Sequence, residues 1–162
     1  MTGQLKKTWI IGASSGIGEA LAKELAIQGE VLCLSARNAQ KLEALRDILN
    51  AEGEAEHISL PCDVSDPAQI QTVLRNLIQM WGRIDRIIFM AGAYQPTTLD
   101  TLDLKLIDQI IDVNLKSAFW LLHAALPILK QQGNGQIALC ASVAGYRGLP
   151  NSQPYGASKA GL

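Results

Sequence analysis

A glycine-rich turn set between a short apolar run and an amphipathic stretch constrains this chain more than any other feature. Thr8-Trp9-Ile10-Ile11 is apolar and rich in β-branched residues, and Gly12-Ala13-Ser14-Ser15-Gly16-Ile17-Gly18 follows it directly. A run of that kind bounded by glycine reads as a buried strand. Beyond it Ile17, Leu21, Leu25 and Ala26 recur at helical spacing, with Gly29 where helices commonly end. A strand turning tightly into a helix leaves backbone N–H groups and about half a positive charge at the turn, a ready site for a pyrophosphate. Missing side chains at Gly12, Gly16 and Gly18 let the backbone come close to such a group. The spacing is Gly-xxx-Gly-x-Gly, not the commoner Gly-x-Gly-xx-Gly.

Strand and helix patterns keep alternating. Val31 to Ala36 is a second buried strand, followed by Arg37 and by Asn38, which can cap a helix carrying Leu42, Leu45 and Leu49. A third strand is expected from Ala55 to Leu60, with Asp63 just beyond it. Ser65 or Asp66 caps the next helix, Pro67 suits its first turn, and Ile70, Val73, Leu74, Leu77 and Ile78 form its apolar stripe up to Gly82. Ile84 to Ala91 is a fourth strand ending at Gly92. Residues from about 103 to 130 read as a helix in two parts, with Asn114 near the joint and Pro127 in its last turn. Gln136 to Ala141 is a fifth strand, ending at Ser142, and a loop then leads to the helix that carries Tyr155.

Strands alternating with helices of this length predict an α/β fold: a Rossmann-type doubly wound parallel sheet of about five strands, covered on both faces. In such sheets ligands lie outside the carboxyl ends of the strands, at the switch point of the strand order. The unusual residues fall at those ends: Gly12, Arg37, Asp63, Gly92 and Ser142, one after each strand. With no repeats or linkers, residues 1–162 read as one dinucleotide-binding domain.

Composition narrows the classes. Hydrophobic residues make up 48% and charged residues 18%, a globular balance, and the net charge of −1 gives no drive toward nucleic acid or anionic membrane. No apolar run approaches the roughly 18 residues that span a bilayer. Met1 to Lys7 has no apolar stretch, and cleaving a leader would destroy the glycine turn, so it reads as mature sequence. Cys33, Cys62 and Cys140 are odd in number, dispersed and flanked by apolar residues, which fits buried free thiols in a cytoplasmic protein. His57 and His123 lack carboxylate or cysteine at ligand spacing, so no metal site is expected.

Tyr155-Gly156-Ala157-Ser158-Lys159 carries the reactive pair. A phenol and an ammonium four residues apart share one helix face. A cation within about 4–6 Å favours a phenolate, which suits proton exchange with a carbonyl or alcohol oxygen.

Together, Gly12-Ala13-Ser14-Ser15-Gly16-Ile17-Gly18, Asp63-Val64, Ala91-Gly92, Asn114, Ser142 and Tyr155 with Lys159 resemble the short-chain dehydrogenase/reductase family, in its order and at its spacings. The resemblance implies NADP(H)- or NAD(H)-dependent interconversion of a carbonyl and a secondary alcohol. It makes Tyr155 the general acid in reduction and the base in oxidation, with Lys159 favouring the phenolate and bonding the nicotinamide ribose. Ser142 is implied to bond the substrate oxygen, and Asn114 to hold a water on a proton path from Lys159. Gly12, Ser14, Ser15, Gly16, Ile17, Gly18, Ala91 and Gly92 are implied to line the cofactor, with Asp63 at the adenine amino group and Val64 beside the ring. Two departures stand out. Ile11 replaces the family's threonine, and Phe89-Met90 its two asparagines, so packing is expected to replace hydrogen bonds between central strands.

Arg37 sets the cofactor expectation. The family's carboxylate for the ribose 2′-hydroxyl of NAD falls at Ala36, with Arg37 next. A guanidinium can grip a 2′-phosphate with charge-assisted bonds of about 1.5–3 kcal/mol, on the order of a 10–150-fold preference for NADP, with NAD second. The expected substrate is a small-molecule carbonyl or alcohol, with steroid, sugar, acyl and small ketone classes all open, and Tyr94, Gln95, Pro96 and Gly145 to Asn151 are expected along part of its pocket. Family members of about 250 residues are homo-oligomers that dimerise through the Tyr155 helix and its predecessor. Against that length the chain is expected to be an N-terminal part, its fifth strand a bare edge, and its dimer contact incomplete. A nucleotide-binding module without turnover and an inactive fragment are the alternative readings.

Overall fold

The computed structural model describes residues 5–162, so the reading of Met1 to Lys7 as mature sequence falls largely outside the described residues. Five strands, β1 (Lys7–Ile11), β2 (Val31–Ser35), β3 (Ile58–Ser59), β4 (Arg86–Phe89) and β5 (Gln136–Leu139), form one parallel sheet in the order β3-β2-β1-β4-β5. The strand order reverses between β1 and β4. The helices are α1 (Gly16–Ile27), α2 (Ala39–Glu52), α3 (Pro67–Trp81), α4 (Leu104–Ile111), α5 (Ser117–Gln132) and α6 (Gln153–Ala160).

Side-chain alternation along the strands separates two cores. Trp9, Ile11, Cys33, Ile87 and Phe89 pack on one face against Ile70, Val73, Leu74 and Leu77 of α3 and Leu121 and Ala125 of α5. Ile10, Leu32, Leu34 and Ile88 pack on the other against Ala22 and Leu25 of α1 and Leu42, Leu45 and Leu49 of α2. This is the doubly wound arrangement that the alternating pattern predicts. Ile11 and Phe89 lie opposite each other in register, both buried, while Met90 packs on the α1–α2 side. A polar tie between strands survives elsewhere: the Trp9 indole donates to Ser35 Oγ at 2.9 Å, and Ser35 Oγ donates to the Leu60 carbonyl at 2.6 Å.

Several boundaries differ from the sequence expectation. β3 is two residues long, although the chain continues beside β2 through Leu60 N to Leu34 O and Cys62 N to Ala36 O. At its start, side chains replace the ladder: Leu32 N donates to His57 Nδ1, and the Asn50 amide takes both backbone groups of His57. β4 begins at Arg86 because the side-chain amide of Gln132 takes both backbone groups of Ile84, at 3.1 and 3.0 Å. β5 ends at Leu139, although Cys140 N still bonds Phe89 O. Asp66, not Ser65, caps α3. Pro127 lies inside α5, before its last turn. Ile17 points to solvent: α1 buries Gly18, Ala22 and Leu25 instead. Cys33 and Cys62 are buried, but Cys140 is only half-buried.

His57 is buried, and its Nδ1 accepts from Leu32 N at 3.2 Å. Its backbone is clamped by the Asn50 amide at 2.7 and 3.2 Å. Burial pushes the imidazole pKa below its ordinary value. The native state therefore takes up this proton less readily than the unfolded chain, whose histidine titrates near about 6.5. The contribution is present above that value and lost as pH falls below it. Urea midpoints measured at about pH 7.5 and about pH 5.5 should fall more for the wild type than for His57→Gln; equal falls would contradict this.

Candidate active site

The glycine turn is pressed against the carboxyl end of β4. Gly12 has φ +97°, and a Cβ there would sit 2.6 Å from Ala91 N and 2.8 Å from the Met90 carbonyl carbon. A Cβ on Gly18 would lie 2.1 Å from the Gly12 carbonyl oxygen, so the first turn of α1 can approach only without a side chain. A cleft of about 720 Å³ opens at these strand ends, with Gly12, Ser14, Ser15, Ile17 and Gly18 on one side and Ala91, Gly92 and Ala93 on another. Gly16 sits in the same turn with φ +58°. The exposure of Ile17 follows from this placement, since it faces the cleft rather than the core.

Arg37, Asp63 and Val64 line the same cleft. Asp63 Oδ1 accepts from both the backbone N–H and the hydroxyl of Ser65, at 2.9 and 2.7 Å, and Oδ2 takes part in neither bond. Partial burial works to raise the Asp63 pKa, but the Ser65 bonds and the nearby Arg37 charge outweigh it and hold the carboxyl below its usual value. Cys62, buried beside Asp63 and Asp66, is pushed up to about 12 by desolvation and then by those charges, so it is an inert thiol.

Asn114 lies in a π-helical turn (Asp112–Lys116) between α4 and α5, the joint expected from sequence. Fully buried, its Oδ1 accepts from Ala93 N at 2.6 Å, and its Nδ2 donates to Ala93 O at 2.8 Å and to Ser158 Oγ at 3.1 Å. Ser158 Oγ donates in turn to the Tyr155 carbonyl at 2.7 Å. One amide thus ties the end of β4 to α6.

Lys159 is buried, with Nζ 2.7 Å from the carbonyl oxygen of Cys140, which itself lines the cleft. The same Nζ lies 5.9 Å from the centroid of the Tyr155 ring. Burial pushes the Lys159 ammonium below the usual lysine value. Ser142 caps a short 3-10 turn (Val143–Gly145), its Oγ accepting from Ala144 N at 3.2 Å. That turn abuts α6: a Cβ on Gly145 would lie 2.6 Å from the Lys159 carbonyl oxygen. Sequence reasoning missed Ser158 and the Ala93 and Cys140 backbone anchors. Ser158 was visible beside Lys159, whereas backbone anchors leave no sequence signal.

A parallel sheet in this order, with a glycine turn at its switch point, defines a Rossmann-type doubly wound α/β fold. Comparison with known proteins narrows the class. The family profile described as short chain dehydrogenase matches residues 6–162. An uncharacterised oxidoreductase of Staphylococcus epidermidis is 35% identical over 153 residues, covering 94% of this chain and 65% of the relative. The structure of an alcohol dehydrogenase from the archaeon Thermococcus sibiricus, complexed with 5-hydroxy-NADP, superposes with a TM-score of 0.92 at 30% identity, covering 98% of this chain and 67% of that one. An actinorhodin polyketide ketoreductase with NADPH gives a TM-score of 0.91 at 26% identity, covering 97% and 60%. The chain belongs to the short-chain dehydrogenase/reductase family, and it spans about 65% of the length of that Staphylococcus relative. Among the described residues no helix is long and apolar enough to cross a membrane.

Gly12→Ala should destabilise the protein by about 1–3 kcal/mol, because the methyl group meets backbone atoms at a positive φ. Gly53→Ala is the control, since its Cβ would meet only Leu49 O at an ordinary 3.6 Å. Urea unfolding of both variants checks the pair; equal midpoints would contradict the close-approach account.

Proposed function

We propose that this protein is an NADP(H)-dependent oxidoreductase that interconverts a carbonyl compound and a secondary alcohol. The observation that carries the reading is that Lys159, with the Tyr155 ring centroid 5.9 Å from its Nζ, bonds the carbonyl of Cys140, a residue that lines the same cleft as the glycine turn. The turn fits a pyrophosphate: Cβ atoms at Gly12 or Gly18 would collide with backbone, and the N-terminus of α1 adjoins the cleft. Arg37 at its rim supports NADP over NAD, because a guanidinium can bond a 2′-phosphate. Two relatives in structure carry NADPH or 5-hydroxy-NADP by their descriptions, which supports the same choice. The reading takes residues 1–162 as one dinucleotide-binding domain, in keeping with two hydrophobic cores that share a single sheet.

When bound, NADP(H) supplies or takes the hydride. The protein moves the proton and holds the reactants. Tyr155 gives its phenolic proton to the carbonyl oxygen in reduction and accepts it back in oxidation. Ser142 Oγ accepts from Ala144 N, which leaves its hydroxyl proton for the substrate oxygen. Of the three N–H groups of Lys159, one is used on Cys140 O, leaving two for the ribose hydroxyls and a charge near the Tyr155 ring. Asn114 Oδ1 accepts one bond, from Ala93 N, so a lone pair remains for a water on a proton path from Lys159. Val64, Asp63, Ala91 and Gly92 complete the nucleotide side of the cleft.

Tyr155→Phe should lower NADPH-dependent carbonyl reduction by about 10²-fold or more, the usual scale of general acid catalysis, and leave NADPH affinity within about threefold. Steady-state turnover over a panel of ketones, with NADPH fluorescence titration, checks this; undiminished turnover in the variant would refute the role of Tyr155.

A further inference from the structure

Tyr94 was expected only along the substrate pocket, and the structure gives it a more definite position. Its ring and that of Tyr155 form a T-shaped pair, with centroids 5.0 Å apart and planes at 69°. Its hydroxyl lies 3.2 Å from Ser152 Oγ. Ser152 is buried, its Oγ donates to the Pro150 carbonyl at 3.2 Å, and its own carbonyl accepts from Gly156 N at 2.7 Å in the first turn of α6. A second tie joins the same two loops, from Thr97 N to the Asn151 carbonyl at 3.0 Å. Asn151 holds φ +56°, the left-handed conformation that asparagine tolerates better than most residues. The loop after β4 is therefore fastened at two points to the residues just before α6.

We propose that Tyr94 is a positioning residue that fixes the orientation of the Tyr155 ring for proton transfer. The Tyr155 backbone is already held by Ser158, but that bond leaves rotation of the ring about its side-chain torsions unconstrained. The Tyr155 ring has two neighbours, the Lys159 ammonium 5.9 Å from its centroid and the Tyr94 ring 5.0 Å away at a steep angle. Edge-to-face pairs favour the aligned geometry enough to change its population by about 2- to 12-fold. The Tyr94 hydroxyl also bonds Ser152, but the ring contact, which phenylalanine would keep, is what bears on the Tyr155 ring. Tyr94 is itself 56% exposed, so substitution there leaves the cores intact.

The consequence for turnover rests on the proposed role of Tyr155, whereas the pairing of the rings does not, and the experiment separates the two. The chain has 3 tyrosines, so ring-labelled protein gives a small set of NMR signals that single variants assign. In Tyr94→Leu the Tyr155 ring signals should shift and average as the ring gains freedom, those of Tyr146 should stay, and Tyr94→Phe should keep Tyr155 near its wild-type position. In NADPH-dependent reduction, kcat should fall about 2- to 12-fold in Tyr94→Leu, with KM for NADPH unchanged, and return to within about twofold in Tyr94→Phe. Unmoved Tyr155 signals in Tyr94→Leu, or equal kcat losses in both variants, would overturn the proposal. Absence of turnover in the wild type would count against the oxidoreductase reading, and the ring signals would still decide the positioning.

Discussion

The close approach of the Gly12 backbone to the end of β4 is the contact on which the site depends. With φ +97° and no room for a Cβ beside Ala91 N, the chain leaving β1 turns at the one place in the sheet where the strand order reverses. Gly18 then brings α1 against the Gly12 carbonyl, which puts the positive end of that helix at the cleft rather than in solvent. Side chains at these positions would separate the turn from β4. The cleft would lose one of its walls before any residue of the reactive group was touched.

The other side of the site is organised by polar struts to backbone. Asn114 reaches Ala93 and Ser158, and Lys159 reaches the Cys140 carbonyl, so α6 is referenced to the ends of both β4 and β5. The π-helical turn that carries Asn114 displaces one helical register into a bulge, a feature that often accompanies functional sites. Deeper in the sheet, the Trp9–Ser35–Leu60 chain of hydrogen bonds links β1, β2 and the segment after β3. Hydrogen bonding between strands is thus moved to other side chains where Ile11 and Phe89 are purely apolar.

Much of this was legible in the sequence because period-two and helical patterns report which face is buried. The strand alternation of Trp9, Ile10 and Ile11, the stripe of α3, and the joint at Asn114 are all of that kind. The failures have physical causes. Ile17 looked like part of a core stripe, but α1 packs through the small face of Gly18 and Ala22, which hydrophobic periodicity does not register. β3 looked six residues long, yet the His57 and Asn50 side chains take the bonds at its start and leave two residues in regular pairing. The contacts that set the reactive geometry, such as Lys159 on a carbonyl and Tyr94 on Tyr155, join residues 19 and 61 positions apart, and only the fold brings them together.

The claim at the centre of this account is that the cleft at the strand switch point, with Arg37 at its rim, is an NADP site. Fluorescence titration of the purified protein with NADPH and with NADH tests it most directly. Saturable binding of both is expected, with NADPH tighter by on the order of 10–150-fold, as charge-assisted bonds to a 2′-phosphate imply. Equal affinity for the two cofactors would remove the role of Arg37, and no saturable binding of either would contradict the account.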